Sequence, residues 1–188
     1  MSNLYKQYQE EGKKKLAHDL SIKNVMAIPR LKKVVVNIGL GEALVNKKAI
    51  ETMNAQLSAI CGQKPVVCVA KHDISSFKLR RGEPIGLKVT LREKRMYDFV
   101  EKFVKIVLPR IRDFRGISDS GLDGKGNYTL GLSEQIVFPE IEYSQVDKIR
   151  GLEITFVTSA KNNKEAKRLL EVLGMPFARS MERAQGKP

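Results

Sequence analysis

Residues able to do chemistry are few in this chain and poorly placed for it. There are two histidines, His18 and His72, and two cysteines, Cys61 and Cys68. A metal site needs several such ligands at short spacings, and Cys61 and Cys68 fit neither a CxxC nor a zinc pattern. They read as reduced, half-buried core residues. Glu134, Glu140 and Glu142 are the clustered carboxylates. No Ser, His and Asp set sits on a recognisable nucleophile elbow, so these acids read as surface charge. Gly39-Leu40-Gly41 lies between an expected strand and an expected helix, the context of a dinucleotide turn. Leu44, however, stands where a third small residue is needed, and no acid closes the next strand. A tight turn using glycine dihedrals is the plainer reading. Asp123-Gly124-Lys125-Gly126-Asn127 suggests a phosphate or calcium loop. Yet Gly126 follows Lys125 where Ser or Thr is required, and Lys125, Asn127 and Tyr128 break the calcium ligand set. A flexible turn is expected there. The chain is therefore expected to be no enzyme, and to use no metal, cofactor or small-molecule substrate.

Charge carries the remaining signal. Lys and Arg number 34 against 21 Asp and Glu in 188 residues, a net charge of +13. A basic soluble protein attracts polyanions, of which RNA is the commonest in a cytosol. The charge is uneven: +5 over residues 1–60, +8 over 61–115, −4 over 116–158 and +4 over 159–188. The contrast suggests an anionic partner and a cationic one, or chance clustering. Residues 71–84 stand out as a long loop between strands. Lys71, Lys78, Arg80 and Arg81 face only Asp73 and Glu83, with Phe77 between them. Basic residues around an aromatic suit a phosphate backbone with an exposed base or ribose. The bland alternative is a solvated loop with Phe77 tucked into the core. The polar start MSNLYKQYQEEGKKK, and the lack of any apolar run near the roughly 18 residues of a membrane span, argue against secretion and membrane insertion.

The elements that must position these residues follow from periodicity. A polar helix is expected over residues 3–19, with Leu4, Tyr5, Tyr8 and Leu16 as its apolar stripe. Strands are expected over 31–38, 65–70, 85–92, 128–132, 135–138 and 152–159. Helices are expected from a cap at Asn46 to Gly62, from Glu93 to Leu108 with Pro109 closing it, and after a capping box at Asn162 and Glu165. The tail over residues 178–188 reads as loose. The order implies a single α+β domain with a β-α-β-β-α-β-like core: a mostly antiparallel sheet with helices packed on one face. The other face is then open and polar. Alternation places Lys33 and Asn37, and likewise Lys88, Thr90 and Arg92, on that face, a recurring kind of RNA platform.

Several stretches closely resemble the bacterial large-subunit ribosomal protein L five family. They are VVVNIGLGEA, GQKPVVCVAKHDISSFKLRRGEPIGLKVTLR, MYDFVEKFVKIVLPRIRDFRGI, LDGKGNYTLG, EQIVFPEIEYSQVDKIRGLEI and LLEVLGMPF. The resemblance runs from about Asn24 to Phe177. It implies a cytoplasmic, ribosome-bound protein that binds 5S rRNA and helps attach it in the central protuberance. It further implies contacts with large-subunit rRNA, peptidyl-site tRNA and, across the subunit interface, small-subunit head protein thirteen. On these residues the resemblance implies 5S rRNA contacts at Asn37, Gln63, Thr90 and Arg92; with the basic residues Lys33, Lys64 and Lys88 they make up the expected 5S rRNA-binding set. It implies a tRNA-contacting loop with Lys71, His72, Ser75, Ser76, Phe77, Lys78, Arg80 and Arg81. Glu140, Glu142 and Asp147 suit the basic small-subunit protein. A nucleotide-handling enzyme built on the Gly39–Gly41 turn and a free RNA chaperone are the rival readings.

Overall fold

The computed structural model describes residues 3–112, 114–143 and 146–178. Five strands form one sheet: β1 (Leu31–Gly39), β2 (Val66–Val69), β3 (Pro84–Leu91), β4 (Tyr128–Leu132) and β5 (Leu152–Thr158). Their order is β2-β3-β1-β5-β4 and every pairing is antiparallel. The register follows the hydrophobic alternation. Val34 lies between Leu91 and Phe156, and Val36 between Val89 and Ile154, all of them buried. With a side-chain period of two, the intervening residues must face the other way. The edge strand β2 departs from this pattern: Val66, Val67 and Val69 are all exposed, and a bulge falls between Cys68 and Val69.

Helices cover the apolar face. At the N-terminus α1 (Asn3–Gln7) runs through a π-helical turn, Tyr8–Gly12, into α2 (Lys13–Asp19). Leu4, Tyr8 and Leu16 are buried, as their spacing requires. A Cβ on Gly12 would lie 3.1 Å from Val172, so this glycine lets the helix approach the C-terminal one closely. Next, α3 (Lys48–Cys61) starts where Asn46 Oδ1 accepts from Lys48 N (3.2 Å) and stops at Gly62, whose φ is 61°. Its Met53, Leu57 and Ile60 are buried; burying side chains of this kind contributes about 1.5–3 kcal/mol each. Then α4 (Glu93–Lys102) passes through the π-helical turn Phe103–Val107 into α5 (Leu108–Arg110). The helix therefore runs one residue past Pro109. Last, α6 (Asn163–Val172) opens on the expected capping box: Asn162 Oδ1 accepts from Glu165 N at 2.9 Å, and the Glu165 carboxylate accepts from Lys161 N at 2.9 Å.

Four other expectations need correction. Residues 135–138 are not a strand: Gln135–Val137 form a 3-10 turn, and Gln135 is fully buried. Its Nε2 donates to Lys148 O (2.7 Å) and its Oε1 accepts from Arg150 N (2.5 Å), so a side chain does the work of a ladder. Neither Gly39 nor Gly41 takes a positive φ, so glycine dihedrals do not explain that turn. The turn at Asp123 is tied, not loose: its Oδ1 accepts from Lys125 N (2.8 Å) and Asn127 N (2.9 Å). Ala178, expected to begin the loose tail, donates its N–H to Ile117 O at 2.9 Å; residues 179–188 lie outside the described residues. The cysteines stand as free thiols on α3 and β2. Cys61 is buried and Cys68 is half-buried.

Arg150 anchors the segment between β4 and β5. Its side chain is buried, pairs with Glu42 through Nε, and grips both oxygens of Asp147 at 2.7 and 2.8 Å. These hydrogen bonds hold the Asp147 carboxyl down at about 2, below its ordinary 3.8. Glu42 is held below its ordinary 4.5 by Lys148 and then Arg150. Both acids are partly solvated, so Arg150→Ala should cost about 2 kcal/mol, less than the loss of a fully buried pair. The acids' folded pKa values are depressed, so the unfolded chain takes up protons first. Their stabilisation is full above about pH 4.5 and is lost as pH falls towards 2. Thermal melts of both proteins should therefore show a gap at neutral pH that narrows in acid. An unchanged gap would detach Asp147 and Glu42 from the anchor.

Candidate nucleic-acid interface

Residues opposite one another on antiparallel strands share a face of the sheet. On the face away from the helices, Lys88 of β3 lies beside Asn37 of β1, and Asn37 beside Glu153 of β5. The next row runs Thr90, Val35, Thr155 and Thr129 across four strands. The hydroxyls of Thr129 and Thr155 are 3.2 Å apart. Lys33 lies a row further, opposite Val157. These polar side chains are exposed or half-buried, while the strand neighbours of Asn37, Lys88, Glu153 and Thr155 on both sides are buried.

Three candidate residues lie outside the strands. Gln63 follows the left-handed Gly62 at the end of α3, and that turn carries its amide to β3. Its Nε2 donates to Thr90 O at 3.2 Å, and its Oε1 accepts from Arg95 at 3.4 Å. Gln63 is therefore held against the backbone of Thr90. Arg92 is extended and exposed at the corner between β3 and α4. The next residue, Glu93, takes φ 51°, a costly value for a residue with a side chain, and the chain turns there from strand into helix. Lys64 is exposed just before β2.

The loop between β2 and β3 is a structured extension. Its base is closed by Ala70 N to Glu83 O (2.9 Å) and Gly82 N to Ala70 O (3.0 Å). Nearer the tip, Ile74 and Leu79 exchange both backbone bonds around a 3-10 turn, Ser75–Phe77. The loop's two acids serve its backbone: Asp73 accepts from Arg81 N at 2.7 Å and Glu83 from Arg80 N at 2.8 Å. Lys71, His72, Ser75, Ser76, Lys78, Arg80 and Arg81 lie along this extension, and every one of them is exposed. Phe77 is 71% exposed, so it is not tucked into the core.

The acidic segment does not form one surface. Glu140 receives the Lys102 ammonium at 2.5 Å, and the same ammonium donates to Ile60 O at 2.6 Å. Asp147 is gripped by Arg150, and Asp119 pairs with Lys167 at 2.7 Å. Glu142 is exposed, and Glu153 belongs to the sheet face. Glu153, Thr155 and Thr129 were missed as part of the face. The alternation in LEITFVT carries the signal for two of them, since Leu152, Ile154 and Phe156 mark the buried side.

Sequence comparison decides what kind of protein carries this face. The profile described as ribosomal protein L5 matches residues 24–80, and the profile for the C-terminus of the same ribosomal family matches residues 84–177. The chain belongs to the ribosomal protein L5 family. It is 57% identical over 178 residues to large ribosomal subunit protein uL5 of Symbiobacterium thermophilum, covering 95% of this chain and 99% of that protein. The protein of the same name from Carboxydothermus hydrogenoformans is 52% identical over 179 residues, covering 95% and 100%. That from Desulfatibacillum aliphaticivorans is 56% identical over 177 residues, covering 94% and 99%. Membership of this family makes the chain a structural ribosomal protein and sets aside an enzyme built on the Gly39–Gly41 turn. The two matched segments contribute to one sheet: β1 and β2 come from the first, β3 to β5 from the second.

Proposed function

We propose that this structural constituent of the large ribosomal subunit binds 5S rRNA through its open sheet face and helps attach it in the central protuberance. The observation that carries this reading is the register that sets Asn37, Lys88 and Thr90 side by side on the uncovered face, with Gln63 tied to Thr90. Amide and hydroxyl groups held by a rigid sheet suit sugar and base edges; Lys33, Lys64, Lys88 and Arg92 around them suit phosphates. The loop after β2 reaches the peptidyl-site tRNA, and other basic surface meets large-subunit rRNA. Glu142, with the partly neutralised Glu140 and Asp147, faces small-subunit head protein thirteen. The protein acts in the cytoplasm, within the ribosome, as one domain. The test is a mobility-shift titration of a 5S rRNA transcript at several salt concentrations. With about five phosphates neutralised, the log–log slope is about −3.5, a loss of roughly 100-fold between about 50 and 200 mM salt. A flat titration would transfer the binding energy to uncharged contacts and remove the role given to the lysines.

A further inference from the structure

One carboxylate sits where an RNA-binding face should least tolerate it. Glu153 is exposed on the uncovered face and is paired in register with Asn37. Lys88 lies on Asn37's other side, two strand spacings or about 10 Å away. Glu153 makes no ion pair among the described residues, whereas Glu140 and Asp147, from the same stretch of chain, are each matched to a cation. On its outer side the register places Gly131 of β4, where an added Cβ would meet nothing within 4 Å. The carboxylate therefore stands on a flat, open part of the platform.

A carboxylate repels phosphates, so next to RNA it is favourable only where donors face it. A carboxylate offers two acceptor oxygens and no donor. Among the bases, guanine alone presents two adjacent donors, N1–H and the N2 amino group, on its Watson–Crick edge. Adenine and cytosine each offer one amino group beside an acceptor, which a carboxylate would repel. That edge is free only in an unpaired base, the kind of target from which proteins read RNA sequence. The geometry points to Glu153 as a specificity-determining residue: it takes the Watson–Crick edge of an unpaired guanine, with Asn37 beside it as the second polar contact. This rests on the reading of the open face as the 5S rRNA site.

The sign of a charge reversal separates this from a merely solvated acid. If Glu153 only repels phosphates, Glu153→Lys should bind a 5S rRNA transcript more tightly. If it holds a guanine, Glu153→Lys should bind at least 10-fold more weakly. Glu153→Gln should also lose affinity, because its amide nitrogen faces a donor. Kethoxal, which modifies N1 and N2 of unpaired guanine, identifies the base. The wild-type protein should protect a guanine that both variants leave reactive, with the remaining protections unchanged. Equal or tighter binding by Glu153→Lys, or the same kethoxal pattern with Glu153→Gln, overturns the inference while leaving 5S rRNA binding in place. Failure of the wild-type protein to bind the transcript overturns the underlying reading and this inference together. Circular dichroism melts confirm that the variants fold, as expected for an exposed position.

Discussion

Replacing Asn37, Thr90 and Arg92 together by Ala is expected to weaken binding to a 5S rRNA transcript by at least about 100-fold, roughly 2.7 kcal/mol. The thermal melt should stay within a few degrees of wild type. The two halves of this expectation come from the same register. Asn37 and Thr90 point away from the helices, so their truncation opens no cavity behind Val36 or Val89. Arg92 lies outside β3, at an exposed corner. Gln63 keeps its bond to the Thr90 carbonyl, because that bond uses the backbone. The binding loss should be sharper than additive charge removal predicts, since Asn37 and Thr90 are uncharged. A single Lys33→Ala control, which removes one phosphate contact, should cost far less and reduce the salt slope by about 0.7. Mobility shifts and melts on the same preparations check both halves. Normal RNA binding by the triple variant would remove the assignment, and a collapsed melt would move these residues into the core.

Deleting Ser75–Leu79 is expected to raise the dissociation rate of tRNA from the peptidyl site about 10-fold or more, with folding, 5S rRNA binding and subunit assembly intact. The deletion removes the 3-10 turn and the Ile74–Leu79 pair at the tip. It spares the backbone bonds between Ala70, Gly82 and Glu83 that close the base, so β2 and β3 keep their pairing. It also removes Phe77 and Lys78, an exposed ring beside a cation. Contacts of that kind grip a ribose or a base face and a phosphate without reading sequence, which suits a site that must accept every tRNA. Phe77→Ala alone should give a smaller increase, since it leaves the loop's shape and charge. The off-rate is measured on purified ribosomes carrying each variant. An unchanged rate in assembled ribosomes carrying the deletion would leave the loop without this role.

The fold was legible where one physical signal dominated. Alternation in LKKVVVNIG and PIGLKVTL marks both strands and both faces, because one face is buried and the other is not. The same signal pointed to Lys33, Asn37, Lys88 and Thr90. Gln63 is invisible to alternation: it lies outside any strand and reaches Thr90 only through the Gly62 turn. Gln135 misled for a related reason. Its apolar neighbours Ile136, Val137 and Phe138 look like a strand, yet a buried side-chain amide replaces the ladder there. The acidic stretch reads as one surface in sequence because its seven acids outnumber three cations over residues 116–158. In space its members separate, since Lys102 and Arg150 claim Glu140 and Asp147, and strand pairing draws Glu153 into the sheet.

The edge strand β2 has a consequence for handling the protein without its RNA. Its outer backbone groups are unpaired among the described strands, and Val66, Val67 and Val69 are exposed along it. An apolar, unpaired edge invites a second copy to add its own edge. What holds copies apart is mutual repulsion at a net charge of +13. The concentrated salt that strips bound RNA also shortens the reach of that repulsion, to about 3 Å at 1 M. Conditions that free the chain from RNA are therefore the conditions in which it is most prone to precipitate on itself.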